Sequence, residues 1–181
     1  TITKGQPAVT DVLTDGSLEA VQLLTLAAAV EKGSEHPLGE AIWAEATQRG
    51  LQLEEAQGFK AESGMGVEAE VAGRQVLVGN LRMMEGRGYP LNGLQVEVER
   101  LQGEAKTAML VALDGQVRGV IAVADTLKDS SPEAIATLHS MNLQVAMLTG
   151  DNHKTAAAIG KLVNVDLVLA EVLPDGKASE V

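Results

Sequence analysis

The run Leu148-Thr149-Gly150-Asp151-Asn152 joins a short apolar stretch to a helical pattern through a small polar loop. Thr149 offers a hydroxyl and Gly150 a bare amide, and both suit a phosphoryl group held at the carboxyl end of a buried strand. Asp151 cannot favour phosphate directly, so its use would be through Mg²⁺ or in shaping the loop. The plainer alternative is an ordinary strand-to-helix turn capped by Asp151 or Asn152. Further on, Pro174-Asp175-Gly176-Lys177 puts a lysine at the start of another helical pattern. Lys177 there can neutralise a phosphate at the same strand ends, or lie in solvent as most lysines do.

A second group lies near residues 31–39, where Glu31, Ser34, Glu35, His36, Pro37 and Gly39 form a compact junction between two helical patterns. Pro37 suits a first helical position and makes His36 the N-cap. A neutral imidazole donates to or accepts from a heterocyclic base, and a carboxylate at Glu31 accepts from an exocyclic amine. The same two residues also read as a helix cap and a solvated acid. Ser63-Gly64-Met65-Gly66 is a two-glycine loop where backbone can come close to a ligand, and Gly79-Asn80 ends a strand and opens a helix. Such glycines also serve hairpin bulges, and the pattern is neither a Rossmann fingerprint nor a Walker loop. Asp125-Thr126-Leu127-Lys128-Asp129 reads as a hinge, a set of ligands or a charged linker.

The elements that must position these residues fall into two kinds. Residues 8–14 read as a strand, Ser17 as the cap of a helix to about Lys32, and 37–49 as a second helix closed by Gly50. Residues 52–59, 66–72 and 75–79 read as strands, and 80–87 and 92–103 as helices. Thr107–Leu113 and Gln116–Ala124 read as strands joined by Asp114-Gly115, a strong hairpin signal. Beyond that the pattern changes. Helices over 132–141 and 153–162 alternate with strands over 144–148 and 166–169, and Pro174 opens a last helix. That alternation predicts a parallel α/β sheet.

Composition bounds the chemistry. The 25 acidic and 14 basic residues give a net charge of −11, which argues against a nucleic-acid partner. A bound nucleotide would need local help from backbone amides, helix N-termini or Mg²⁺. The absence of cysteine removes disulfides and thiolate metal sites. Trp43, Phe59 and Tyr89 are the only aromatics and lie outside the motifs, so the expectation is a base pocket without an aromatic stack. No stretch reaches the roughly 18 apolar residues of a membrane span.

In order along the chain, these motifs resemble the heavy-metal P-type ATPases. Thr1-Ile2-Thr3 resembles the tail of the signature DKTGT(L/I)T, which would put the phosphorylated aspartate four positions before Thr1. Thr149-Gly150-Asp151 resembles the TGD motif, and Pro174 to Lys177 the segment whose lysine contacts the aspartyl phosphate, though PDGK departs from the usual PEDK. The motif GDGxND is not in this sequence. Ser34-Glu35-His36-Pro37-Leu38 resembles the SEHP signature of the heavy-metal branch, and Gly64, Gly66 and Gly79 its ATP-site glycines. Val76–Met84 and Lys106–Asp125 resemble the copper exporters most closely.

The resemblance implies an α/β architecture of two domains. Residues 15–118 would be a nucleotide-binding domain, an antiparallel sheet flanked by helices. It would be inserted into a haloacid-dehalogenase-like phosphorylation domain of which 1–14 and 119–181 are parts. It implies ATP and Mg²⁺ as cofactors, Glu31, His36, Gly64, Gly66, Gly79 and Asn80 around the nucleotide, and Thr149, Gly150, Asp151 and Lys177 at the phosphoryl group. It implies the actuator and transmembrane parts of a pump as partners and a cytoplasmic loop of a membrane protein as location. Copper or another heavy metal would be bound elsewhere, and the chain alone would not turn over ATP. Two alternatives stay open: a soluble haloacid-dehalogenase-type phosphatase with a β-rich cap, and a non-catalytic nucleotide-binding module.

Overall fold

The computed structural model describes residues 2–128, 130–149, 153–170 and 172. The elements run β1 (Thr3–Thr14), α1 (Ala20–Glu31), α2 (Pro37–Gln48), β2 (Ala56–Glu62), β3 (Gly66–Val71), β4 (Arg74–Gly79), α3 (Leu81–Gly86) and α4 (Gln95–Gly103), followed by β5 (Thr107–Leu113), β6 (Gln116–Leu127), α5 (Ser131–Ser140), β7 (Ala146–Leu148), α6 (His153–Val163) and β8 (Leu167–Leu169). Strands β1 to β6 form one antiparallel sheet in the order β1-β6-β5-β4-β3-β2, while β7 and β8 pair in parallel in a second sheet. Both sheet types match the expectation from sequence.

Alternation along the strands builds a core on each face of the large sheet. Val76, Val78, Met109, Val111, Leu113, Ile121 and Val123 pack with α1 and α2 on one face. Leu77, Ala108, Leu110, Ala112, Val120 and Ala122, the residues between them, pack with Met83, Met84, Val98 and Leu101 of α3 and α4 on the other. Because both faces are covered, these strands read as near-continuous apolar runs. Two hairpins hold the register. Ala72-Gly73 have φ of 53° and 74°, and Asp114-Gly115 have 49° and 82°, the positive pair that a two-residue hairpin turn takes. Asp114 also accepts from the Gln75 N–H (3.0 Å) and from Arg74 Nε (2.9 Å), tying the β5–β6 turn to β4.

Several boundaries differ from the sequence reading, among them the start of β1 at Thr3 rather than residue 8, and three of them have a plain local reason. Helix α1 starts at Ala20 with Glu19 as N-cap. Ser17 is taken up instead by Asp15, whose Oδ1 accepts from its N–H (2.9 Å) and its hydroxyl. Strand β2 starts at Ala56 rather than residue 52, since its pairing with β3 begins at Ala56↔Val71. Strand β6 continues to Leu127 because β1 pairs with it from Thr14↔Gly119 to Thr3↔Leu127. The large sheet is therefore continuous from β2 through both strands of the expected domain boundary. The helix expected after Pro174 lies outside the described residues.

Candidate functional site

The corner between α1 and α2 carries the first group of candidates. Glu31, the last residue of α1, is only 3% exposed, and its Oε2 is buried without a hydrogen-bond partner. Burial pushes its carboxyl up to about 7, against the pull of a hydrogen bond from Ser34. The room it occupies exists because residue 39 is glycine. A Cβ on Gly39 would lie 2.2 Å from Glu31 Oε2 and 2.9 Å from Ser34 Oγ. His36 is the N-cap of α2, as its place before Pro37 predicts, and its Nδ1 accepts from the Leu38 N–H (3.2 Å). In the neutral ring that bond leaves the proton on Nε2, so an exposed His36 presents a donor outward.

The glycine loop between β2 and β3 faces this corner. Gly64 is exposed, has φ of 71° and has nothing within 4 Å of a Cβ built on it, so the space beside its backbone is open. Gly66 has a different duty. Its Cβ would fall 2.3 Å from the Val78 carbonyl oxygen and 2.5 Å from Gly79 Cα, the partner opposite it in the ladder. Gly79 is likewise a packing glycine, since a Cβ there would meet Met83 Sδ at 2.5 Å and the Met65 carbonyl oxygen at 2.8 Å. Asn80 fixes the loop to α3. Its Oδ1 caps that helix by accepting from the Met83 N–H (3.0 Å), its Nδ2 donates to the Gly64 carbonyl (2.8 Å), and its own N–H donates to the Met65 carbonyl (2.8 Å).

Glu31, His36, Gly64, Gly66 and Asn80 all line one cavity of about 550 Å³, a size that suits a nucleotide-scale ligand. Gly79 is not among the lining residues. Phe59 is, so an aromatic side chain stands in the wall of a pocket expected from sequence to have no aromatic stack. A second cavity of about 470 Å³ is lined by Ile2, Asp125, Thr149 and Thr155 among others, and it shares Leu38 and Thr107 with the first. Thr149 sits beyond the end of β7, where its N–H donates to the Leu169 carbonyl (2.9 Å) and its own carbonyl accepts from the Val172 N–H (3.0 Å). Gly150, Asp151 and Lys177 lie outside the described residues. Among the described residues no group of three His, Asp or Glu side chains could hold a metal ion.

A family model for haloacid dehalogenase-like hydrolases matches residues 1–180. The copper-exporting P-type ATPase of Bacillus subtilis (strain 168) is 45% identical over 181 residues, covering 100% of this chain and 23% of that protein. A zinc-transporting PIB-type ATPase in its E2.Pi state superimposes with a TM-score of 0.80 at 35% identity, covering 100% of this chain and 29% of that one. The N-domain of HMA6, a copper-transporting P-type ATPase, matches at 31% identity and TM-score 0.55, over 65% of this chain and 98% of that domain. The chain belongs to the haloacid dehalogenase-like hydrolases, on their heavy-metal P-type ATPase branch. It spans about a quarter of the length of the Bacillus relative.

Two lining residues of this P-type ATPase segment escaped the sequence reading as parts of a site. Asp125 belongs to the segment read as a hinge, a set of ligands or a charged linker and was not grouped with Thr149, yet it shares the second cavity with Thr149, and its Oδ1 accepts from the Gln6 N–H (3.2 Å). The signal available was its place at the end of a long apolar strand. Phe59 carried a fainter signal, the glycine before it inside a strand pattern.

Proposed function

We propose that this chain is the ATP-handling segment of a metal-exporting P-type ATPase and that the cargo is copper. The observation that carries the reading is Glu31, a buried acid whose Oε2 has no hydrogen-bond partner, among the residues that line one cavity with His36 and the Gly64 loop. An orphaned acceptor inside a protein costs stability, and a ligand amine is the group that satisfies it. The base of ATP enters this cavity with its exocyclic amine toward Glu31. His36 donates to the base from Nε2, and the bare Gly64 amide lets the backbone come close. Asn80 acts through the loop by holding Gly64 in place, and Gly66 and Gly79 act by letting β3, β4 and α3 pack closely.

The triphosphate leads across Leu38 and Thr107 to the second cavity, where Thr149 binds the phosphoryl group with Gly150, Asp151 and Lys177. Phosphoryl transfer to an aspartate of the same pump then depends on positioning and charge neutralisation. Mg²⁺ bound to the nucleotide would supply further charge neutralisation at the phosphates. Residues 15–118 serve as the nucleotide-binding domain and 1–14 with 119–181 as part of the phosphorylation domain, joined through β1 and β6. The partners are the actuator and transmembrane parts of the longer protein, with this segment on the cytoplasmic side. No helix among the described residues is long and apolar enough to cross a membrane, so metal passage belongs to those other parts. Copper is favoured by the 45% identity to the Bacillus copper exporter over the whole chain.

Titration calorimetry with ATP tests the reading. His36→Gln loses roughly 1–2 kcal/mol of binding, the size of one or two hydrogen bonds. Gly64→Val puts a branched side chain into the open space where the base lies and weakens binding further. Wild-type affinity for both variants removes the nucleotide from this corner.

A further inference from the structure

Phe59 has no part in the nucleotide contacts proposed above, yet among the described residues it is the one aromatic side chain lining either cavity. It is a large apolar side chain left 39% exposed. An irregularity in β2 sets its direction. Gln57 pairs with Glu70 while Lys60 pairs with Glu68, so β2 carries one residue more than β3 over that interval. Gly58 absorbs the extra residue with a φ of 63°, a β-bulge with glycine in the left-handed region.

The bulge changes which way Phe59 points. Ala56 packs against the α1–α2 core, and Ala61 pairs with Val67 of that same core. In a regular strand a residue three positions after Ala56 faces the opposite side. With the bulge, Phe59 keeps step with Ala61 and turns toward α1 and α2. Its ring then sits against Gly33, where a built Cβ would be 3.3 Å from Cδ2 and 3.4 Å from Cε2. Bare backbone supports the ring, and the cavity shared with Glu31, His36 and Gly64 lies beside it. A planar base entering that cavity covers apolar surface that is otherwise left to water.

We infer that Phe59 is a specificity-determining wall for the base, a stacking surface that favours purine over the smaller pyrimidine. The inference rests on the reading of this cavity as the ATP site. The test titrates the wild-type chain and its Phe59→Ala, Phe59→Leu and Phe59→Trp variants with ATP, CTP and inorganic tripolyphosphate. Losing the stack weakens ATP about tenfold in Phe59→Ala, with a smaller loss for CTP and none for tripolyphosphate. Phe59→Leu keeps apolar bulk in place and still loses affinity for ATP. Phe59→Trp stays within about threefold of wild type. In a Trp43→Phe background, the fluorescence of Phe59→Trp changes with ATP and not with tripolyphosphate. ATP affinity in Phe59→Ala and Phe59→Leu equal to wild type overturns the inference, as does an equal loss for ATP and tripolyphosphate. If the His36 and Gly64 variants lose ATP while the Phe59 variants do not, this inference alone fails. A wild-type chain that binds no ATP overturns both.

Discussion

At the scale of single residues, Glu31 carries the most testable physics. Its carboxyl is raised from the ordinary 4.5 to about 7 by burial, so the folded state holds a proton that the unfolded chain releases. The stabilisation is complete below pH 4.5, is lost as pH rises toward 7, and stays lost above that. Glu31→Gln has no such proton, so its stability relative to wild type should rise between those pH values by on the order of 3 kcal/mol. Thermal melts of both proteins at pH 5 and pH 8 measure this; a pH-independent difference contradicts it. ATP, offering an amine to Glu31, favours the carboxylate. Its affinity should therefore weaken as pH falls below about 7 and do so less in Glu31→Gln, which retains Glu35, His36 and Glu62 in the cavity wall. Gly39→Ala tests the same carboxyl from outside. A methyl group 2.2 Å from Oε2 must displace it, and overpacking of that kind costs about 1–3 kcal/mol, read by urea denaturation.

At the scale of elements, the glycine loop and α3 work as one piece joined by Asn80. Asn80→Ala should lose about 1 kcal/mol of stability with the cap and also weaken ATP binding. Asn80→Asp keeps an acceptor for the Met83 N–H but has no donor for the Gly64 carbonyl, so it should retain more stability than Asn80→Ala while still loosening the loop. Equal ATP affinity in wild type and both variants, measured by calorimetry, shows that the loop does not touch the ligand. Elements such as β5 and β6 were legible in the sequence because their short apolar runs and the Asp114-Gly115 turn speak locally. The bulge at Gly58 was not, since a register shift is a property of two strands and not of one. His36 was legible as a cap because Pro37 follows it, while Ser17 misled because Asp15 competes for the same hydroxyl and amide. The cavity itself joins a helix corner to a strand loop some thirty residues away, and only the family resemblance linked the two beforehand.

At the scale of the whole molecule, the two sheets differ in support. Strands β4 and β5 have neighbours on both edges and helices on both faces. The β7–β8 sheet has two strands of three residues each, and nearby Met141 and Leu162 are each 63% exposed. Amide exchange should accordingly be faster in 146–148 and 167–169 than in 66–79 for the monomer, and should slow with concentration if copies associate through that apolar surface. Equal protection in a proven monomer at every concentration contradicts this. The central claim, that ATP binds with its base at the α1–α2 corner against the glycine loop, is tested most directly by amide NMR of the chain titrated with MgATP. The account predicts saturable shifts at Ser34, Glu35, His36, Phe59, Gly64, Met65 and Gly66. Saturable shifts confined to residues around the second cavity, or no shifts at all, would contradict it.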